Sequence, residues 1–232
     1  MTTQIKGLVF DKDGTLFDFA QTWAACTHSI LVRLAETPDQ LDIMGAAIGF
    51  DVASRKFAQD SIVIAHTSRE VAEVLDPLVE HMSLFDILRT IDLEAARAPQ
   101  VEAVPLAPFL DDLRAKGLKL GVATNDSEAP ALAHLASVGV RDKFDFIAGA
   151  DSGFGFKPDA GQLLGFAQKM VLDPGECVMV GDSRHDLGAG RKAGFTTVGV
   201  LTGAASSSDL ADLADVIMPN IGHIPAWLSL QS

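Results

Sequence analysis

Short apolar runs, each closed by a polar turn, recur along the chain: IKGLVFD at residues 5–11, LKLGVATND at 118–126, FDFIAGAD at 144–151, ECVMVGD at 176–182 and TTVGVLTG at 196–203. Runs this short and continuous, without polar alternation, predict strands buried on both faces. Around the later four lie stretches with apolar residues three and four apart: LAPFLDDLRAKG (106–117), EAPALAHLASVG (128–139), DAGQLLGFAQKM (159–170) and RHDLGAGRKAG (184–194). These read as helices, and Gly117 stands where a helix commonly ends. Strands alternating with helices predict an α/β fold with a doubly wound parallel sheet.

Residues 19–100 have a different texture. TWAACTHSILVRLAE, PDQLDIMGAAI, SREVAEVLDPLVEHM and FDILRTIDLEAARA carry helical periodicity, and no stretch among them reads as a strand. The pattern predicts a core of residues 1–18 and 101–232, interrupted after its first strand by a helical insert at 19–100. Pro99, Pro105 and Pro108 punctuate the return, so the linkers near 17–20 and 99–106 are the expected hinges. SSSDLADLAD at 206–215 reads as a polar loop entering a short helix.

Composition narrows the picture. With 232 residues, 48% hydrophobic and 21% charged, the chain can bury a sizeable core and is not expected to be disordered. A net charge of -13 argues against non-specific nucleic-acid binding and makes a cation the more natural partner. Cys26 and Cys177 have no ligand-spaced neighbours and read as buried apolar residues rather than a disulfide or zinc site. No window has the length of a membrane span, and the N-terminal MTTQIKGLVF is too short in apolar residues for a signal peptide, so a cytoplasmic location is expected.

In an open parallel sheet, ligands bind outside the carboxyl ends of the strands. Asp11 and Asp13 follow the first run, Thr124 and Asn125 the second, and Asp182 the fourth, with Asp186 one helical turn on; Lys157 lies in GFGFKPD after the third. Two carboxylates about 4 Å apart repel by roughly 4 kcal/mol at an effective dielectric near 20, so such a cluster calls for a cation. Oxygen ligands that leave room for water and phosphate suit Mg²⁺. With metal and lysine offsetting a phosphate dianion, one carboxylate can attack phosphorus while a second moves protons.

These motifs resemble those of the haloacid dehalogenase superfamily, specifically its phosphatase branch with a helical cap after the first strand, and the resemblance spans essentially the whole chain. It implies that Asp11 of DKDGTL is nucleophile and metal ligand. Asp13 would be the acid/base and offer its backbone carbonyl to the metal. Thr124 and Asn125 of VATND would hold the phosphoryl group, and Lys157 of KPD would offset its charge. Asp182 of GDSRHD would bind metal, with Asp186 in support. Gly14 would let the backbone approach phosphate, and Thr15 would orient an aspartate. Phe19, where the family often has Ser or Thr, and Ala160, where Pro is common, depart from the pattern without removing a catalytic group. Taken singly, GDSRHD also fits an ordinary helix start with Asp182 or Ser183 as its cap.

IMGAAIGFD at 43–51 resembles the glycine-bearing cap loop that points into such sites, with Gly45 and Gly49 permitting close approach. Arg55, Lys56, His66 and Arg69 are the cap candidates for an anionic substrate; a carboxylate-bearing one such as phosphoglycolate would need one of them. The resemblance implies Mg²⁺-dependent hydrolysis of a small phosphorylated metabolite, with neither nucleic acid nor membrane as partner. A sugar phosphomutase of the β-phosphoglucomutase type shares all four motifs and is the main alternative. A dehalogenase would not need Asp13 and Asp182, and a phosphonatase lacks the acid at Asp13. A phospho-aspartate receiver domain carries its aspartate on a middle strand. Lys12 is expected to point away from the crevice and to take no catalytic part.

Overall fold

A computed structural model describes residues 4–58, 60–64 and 66–230; residues 1–3 and 231–232, which the expected core boundaries include, lie outside the described residues. The chain opens with β1 (Gly7–Phe10) and enters a helical segment: α1 (Phe19–Leu34), α2 (Pro38–Ala47), β2 (Phe50–Asp51), β3 (Lys56–Phe57), α3 (Ser68–Leu75) and α4 (Leu84–Ala95). It then alternates through α5 (Leu106–Ala115), β4 (Lys119–Ala123), α6 (Glu128–Ser137), β5 (Phe146–Ala148), α7 (Gly161–Met170) and β6 (Cys177–Gly181). α8 (Arg184–Ala193), β7 (Thr196–Val200), α9 (Ser207–Leu210), β8 (Val216–Met218) and α10 (Ile224–Ser229) complete it.

Among the described residues the main sheet has six parallel strands in the order β5-β4-β1-β6-β7-β8. All four residues of β1 are buried, as befits a strand covered by helices on both faces. Leu8 and Phe10 pack on one face with Leu106, Leu110, Leu113 and Leu135. Val9 packs on the other with Leu163, Phe166 and Ala189. A third apolar cluster, running from Phe19 to Ala98, is drawn wholly from the insert.

Two expectations about strands need correction. The insert holds a hairpin, β2 against β3 with Phe50 opposite Phe57, and the sheet gains β8 beyond the five strands read from the pattern. The two-residue strands of the hairpin are too short to show any periodicity, and β8 lacks the longer apolar run that flanks the equally short β5. The stretch SREVAEVLDPLVEHM also breaks: α3 stops at Leu75 and a short 3₁₀ turn follows at Asp76–Leu78, because Pro77 cannot continue an α-helix. The two linkers run side by side, with Asp18 N–H donating to Val101 O at 2.8 Å and Ala103 N–H to Leu16 O at 2.9 Å.

Candidate active site

β4 lies on one side of β1 and β6 on the other, so the chain changes direction across β1 and leaves a crevice at the carboxyl ends of these strands. Asp11 and Asp13 enter it from β1, Thr124, Asn125 and Asp126 from β4, and Asp182 from β6. Asp186 comes from the first turn of α8, where Ser183 is the N-cap and exchanges hydrogen bonds with it. Lys157 arrives on the loop before α7.

Lys157 sits between two acids, its Nζ 2.6 Å from Asp11 Oδ1 and 2.5 Å from Asp186 Oδ1. The backbone of that residue is held by Asn125, whose Oδ1 accepts from Lys157 N–H and whose Nδ2 donates to Lys157 O, both at 2.8 Å. The Asn125 side chain thus braces the lysine loop, a role its place after a strand did not reveal. Thr15 Oγ1 donates to Asp182 Oδ1 at 3.2 Å. Gln162 Nε2 donates to Thr124 O at 2.9 Å and fixes the end of β4.

Burial pushes the Asp11 carboxyl up to about 7; Lys157 pulls against this, while Asp186 and Asp13 reinforce it. Asp182 lies well above the ordinary carboxylate range through burial and the charges of Asp186 and Asp11. Burial alone would lower Lys157, yet Asp11 and Asp186 outweigh it and raise the ammonium above its usual value. One lysine therefore does not neutralise this cluster.

Ligand oxygens of Asp11, Asp182 and Asp186 lie within 4.8 Å of one another. Buried hard oxygen donors with surplus negative charge fit a divalent cation. The backbone leaves the space: Gly14 has φ +81°, and a Cβ there would collide with the Asp182 carboxylate.

The cavity above these groups measures about 70 Å³, and its roof is apolar. Phe19, Trp23, Ile30, Ile48, Val71 and Ile91 line it. Phe19, the departure noted in DKDGTLFDF, stacks on Trp23 with ring centroids 6.4 Å apart. The buried Thr27 hydroxyl at this roof has no hydrogen-bond partner among the described residues.

Of the insert candidates, only His66 lines the cavity, edge-to-face with His185 at 5.7 Å. Arg69 is exposed and pairs with Glu73 at 2.9 Å. Arg55 and Lys56, at the hairpin turn, flank a separate groove beside Thr202–Ala204. Gly45 lies in α2, where a Cβ would meet Val52 and Phe50 O, and Gly49 has φ +72° against the Ser61 backbone. Both glycines serve packing and a tight turn instead of the cavity, because the segment they belong to is a helix leading into a hairpin.

Lys12 points away from the crevice, as its place at the strand end predicts, yet it has partners that local pattern did not show. It lines no part of the cavity, but it is fully buried beneath it, with Nζ 2.6 Å from Asp13 Oδ2. A strand-end residue facing away from the crevice here points into the protein, where Asp126 and His134 of α6 meet it. A histidine on the apolar face of EAPALAHLASVG was the signal available in the sequence.

The model of the haloacid dehalogenase-like hydrolases matches residues 5–194. The chain is 31% identical to a phosphoglycolate phosphatase of Chromobacterium violaceum over 95% of both chains, and 31% identical to one of Yersinia pseudotuberculosis over 94% of both. Its fold resembles a haloacid dehalogenase-like hydrolase structure from Bacteroides fragilis, at TM-score 0.72 and 23% identity, covering 95% of this chain and 100% of that one. A β-phosphoglucomutase structure from Clostridium difficile follows at TM-score 0.69 and 16% identity, covering 98% of each. With its family motifs gathered at one crevice and the match spanning most of its length, this chain belongs to the haloacid dehalogenase-like hydrolase family.

Proposed function

We propose that the protein is a Mg²⁺-dependent phosphatase that hydrolyses a small phosphomonoester through an aspartyl-phosphate at Asp11. The observation that carries this is the convergence of Asp11, Asp182 and Asp186 around Lys157 at the sheet's switch point. Asp11, Asp182 and the backbone carbonyl of Asp13 would hold the cation, which when bound offsets phosphate charge and polarises a phosphoryl oxygen. Lys157, held between Asp11 and Asp186, would offset the same charge.

In the first step a carboxylate oxygen of Asp11 attacks phosphorus, the P–O bond to the alcohol breaks, and Asp13 gives that oxygen its proton. Thr124, the Asn125 backbone and Gly14 would surround the transferring group. In the second step Asp13 takes a proton from water, the resulting hydroxide attacks phosphorus, and the bond to Asp11 breaks to release inorganic phosphate. At rest, burial alone would raise Asp13, but the Lys12 charge outweighs it and holds the carboxyl below its ordinary range. A dianionic ester beside it shifts it upward, toward the protonated form that the first step needs.

Phosphoglycolate, the substrate in the names of the curated relatives, is the first candidate. It is small, and its carboxylate would meet His66 and His185, since no insert Lys or Arg lines the cavity among the described residues. Phosphate release from phosphoglycolate, short alkyl phosphates and sugar phosphates, with Mg²⁺ and with chelator, tests the reading. Mg²⁺-dependent release supports it. Isomerisation of glucose 1-phosphate without phosphate release overturns it.

A further inference from the structure

A fully buried lysine needs acceptors for all three of its N–H groups, because an unpaired ammonium in the interior costs several kcal/mol. Lys12 meets three groups: it donates a hydrogen bond to His134 Nδ1 at 2.9 Å and forms ion pairs with Asp13 Oδ2 at 2.6 Å and Asp126 Oδ2 at 3.2 Å. The Trp23 ring closes the remaining side, its centroid 5.5 Å from Nζ. The arrangement also sets the histidine's tautomer. His134 Nε2 lies 2.5 Å from Ala95 O, which can only accept, so Nε2 carries the proton and Nδ1 offers its lone pair to Lys12.

The consequence falls on Asp13. Its Oδ2 is paired with Lys12, whereas its buried Oδ1 makes no hydrogen bond within ordinary geometry among the described residues, the unpartnered Trp23 indole N–H being the donor that acts on the same carboxyl. A carboxylate with one oxygen fastened and the other open has a fixed plane and one oxygen available for chemistry. We propose that Lys12 is a positioning residue, clamping Asp13 so that Oδ1 faces the leaving oxygen of the substrate and, later, the attacking water. This rests on the reading of Asp13 as the acid/base.

The clamp is itself anchored to the insert. Asp126 Oδ1 accepts from Ser68 Oγ of α3 at 3.3 Å, and His134 reaches the α4 backbone at Ala95. Two of the three groups holding Lys12 therefore also touch the element that roofs the cavity, so the orientation of Asp13 is tied to the placement of the insert on the core.

The test measures kcat/KM for 4-nitrophenyl phosphate, phenyl phosphate and ethyl phosphate, whose leaving groups depend increasingly on protonation. Lys12→Met is expected to lower activity little on 4-nitrophenyl phosphate and by roughly 10²-fold on ethyl phosphate. Asp13→Asn, as reference, should show the same trend more steeply. Equal losses on all three substrates for Lys12→Met, beside a steep trend for Asp13→Asn, overturn the positioning role and leave the acid/base reading standing. A flat response of Asp13→Asn overturns that reading and the clamp with it. If Lys12→Met does not fold, His134→Leu removes one acceptor from outside the cavity. It should reproduce the trend at smaller size; a uniform loss overturns the proposal.

Discussion

At the floor of the cavity Asp11, Asp13, Asp182 and Asp186 each have a lysine or hydroxyl partner at 2.5–3.2 Å. The roof is made of Phe19, Trp23, Ile30, Ile48, Val71 and Ile91, and Thr27 there has a hydroxyl with no partner among the described residues. The floor comes from strand ends and the first turn of α8, whose positions a parallel sheet imposes, and on the proposed reading it would act on the group that all substrates share. The roof comes from an insert with its own apolar core, free to vary without disturbing the sheet. On the proposed reading, chemistry and selection would draw on separate hydrophobic cores, joined where Ser68 meets Asp126 and Ala95 meets His134.

The deepest cut falls on the floor. Asp11→Asn should reduce kcat by at least about 10³-fold, with the melting temperature unchanged or raised, since a buried, charge-crowded carboxyl is removed. Steady-state kinetics beside a thermal melt checks both halves. Retained turnover would refute Asp11 as nucleophile.

Next comes the cation. The folded Asp11 carboxyl titrates near 7 against an ordinary 3.8, so between these values the folded state binds more protons than the unfolded one. Metal-free stability therefore falls as pH rises through this window, and Asp182, shifted the same way, adds to the loss. Mg²⁺ bound at this cluster would relieve the crowding only once the acids are ionised. Its stabilisation should reach roughly 5–10 °C at a hundredfold excess over Kd at pH 8 and shrink at pH 5.5. A shift independent of pH would separate the binding site from this cluster.

Perturbing the roof should change selection and spare chemistry. His66→Ala is expected to raise KM for phosphoglycolate about tenfold, the worth of one charge-assisted hydrogen bond, with kcat and the KM for ethyl phosphate unchanged. An equal effect on both substrates would remove His66 from carboxylate recognition. The smallest effect belongs to Thr27→Val, which deletes an unpartnered buried hydroxyl. The melting temperature should rise by roughly 2–4 °C, and kcat/KM should hold. A large increase in KM would show that the hydroxyl meets a polar group of the substrate.

The difference between floor and roof also governs what was legible in the chain. Five of the six sheet strands, the helices between them and the residues at the strand exits followed from apolar runs ended by polar turns, because burial on both faces leaves an unbroken signature. The insert was legible as helical, yet its hairpin went unread, and its two glycines and three of its four cation candidates lie away from the cavity. Two-residue strands carry no period, and the side of a helix that meets a neighbouring unit is not written in its own spacing. Only His66 of the four cation candidates reached the cavity.

Sequence by itself determined the order of strands and helices, the acids and lysine at the strand ends, and the apolar character of both cores, since these depend on local pattern and on topology rules for parallel sheets. Tertiary structure decided which partners those groups take across separations of 32 to 167 residues of chain. It brought Asn125 to the backbone of Lys157, Thr15 to Asp182, and His134 and Asp126 to a lysine that local pattern had left without a role. The physical reason is desolvation: a buried charge must find its partners wherever the fold places them, and sequence separation does not enter that requirement.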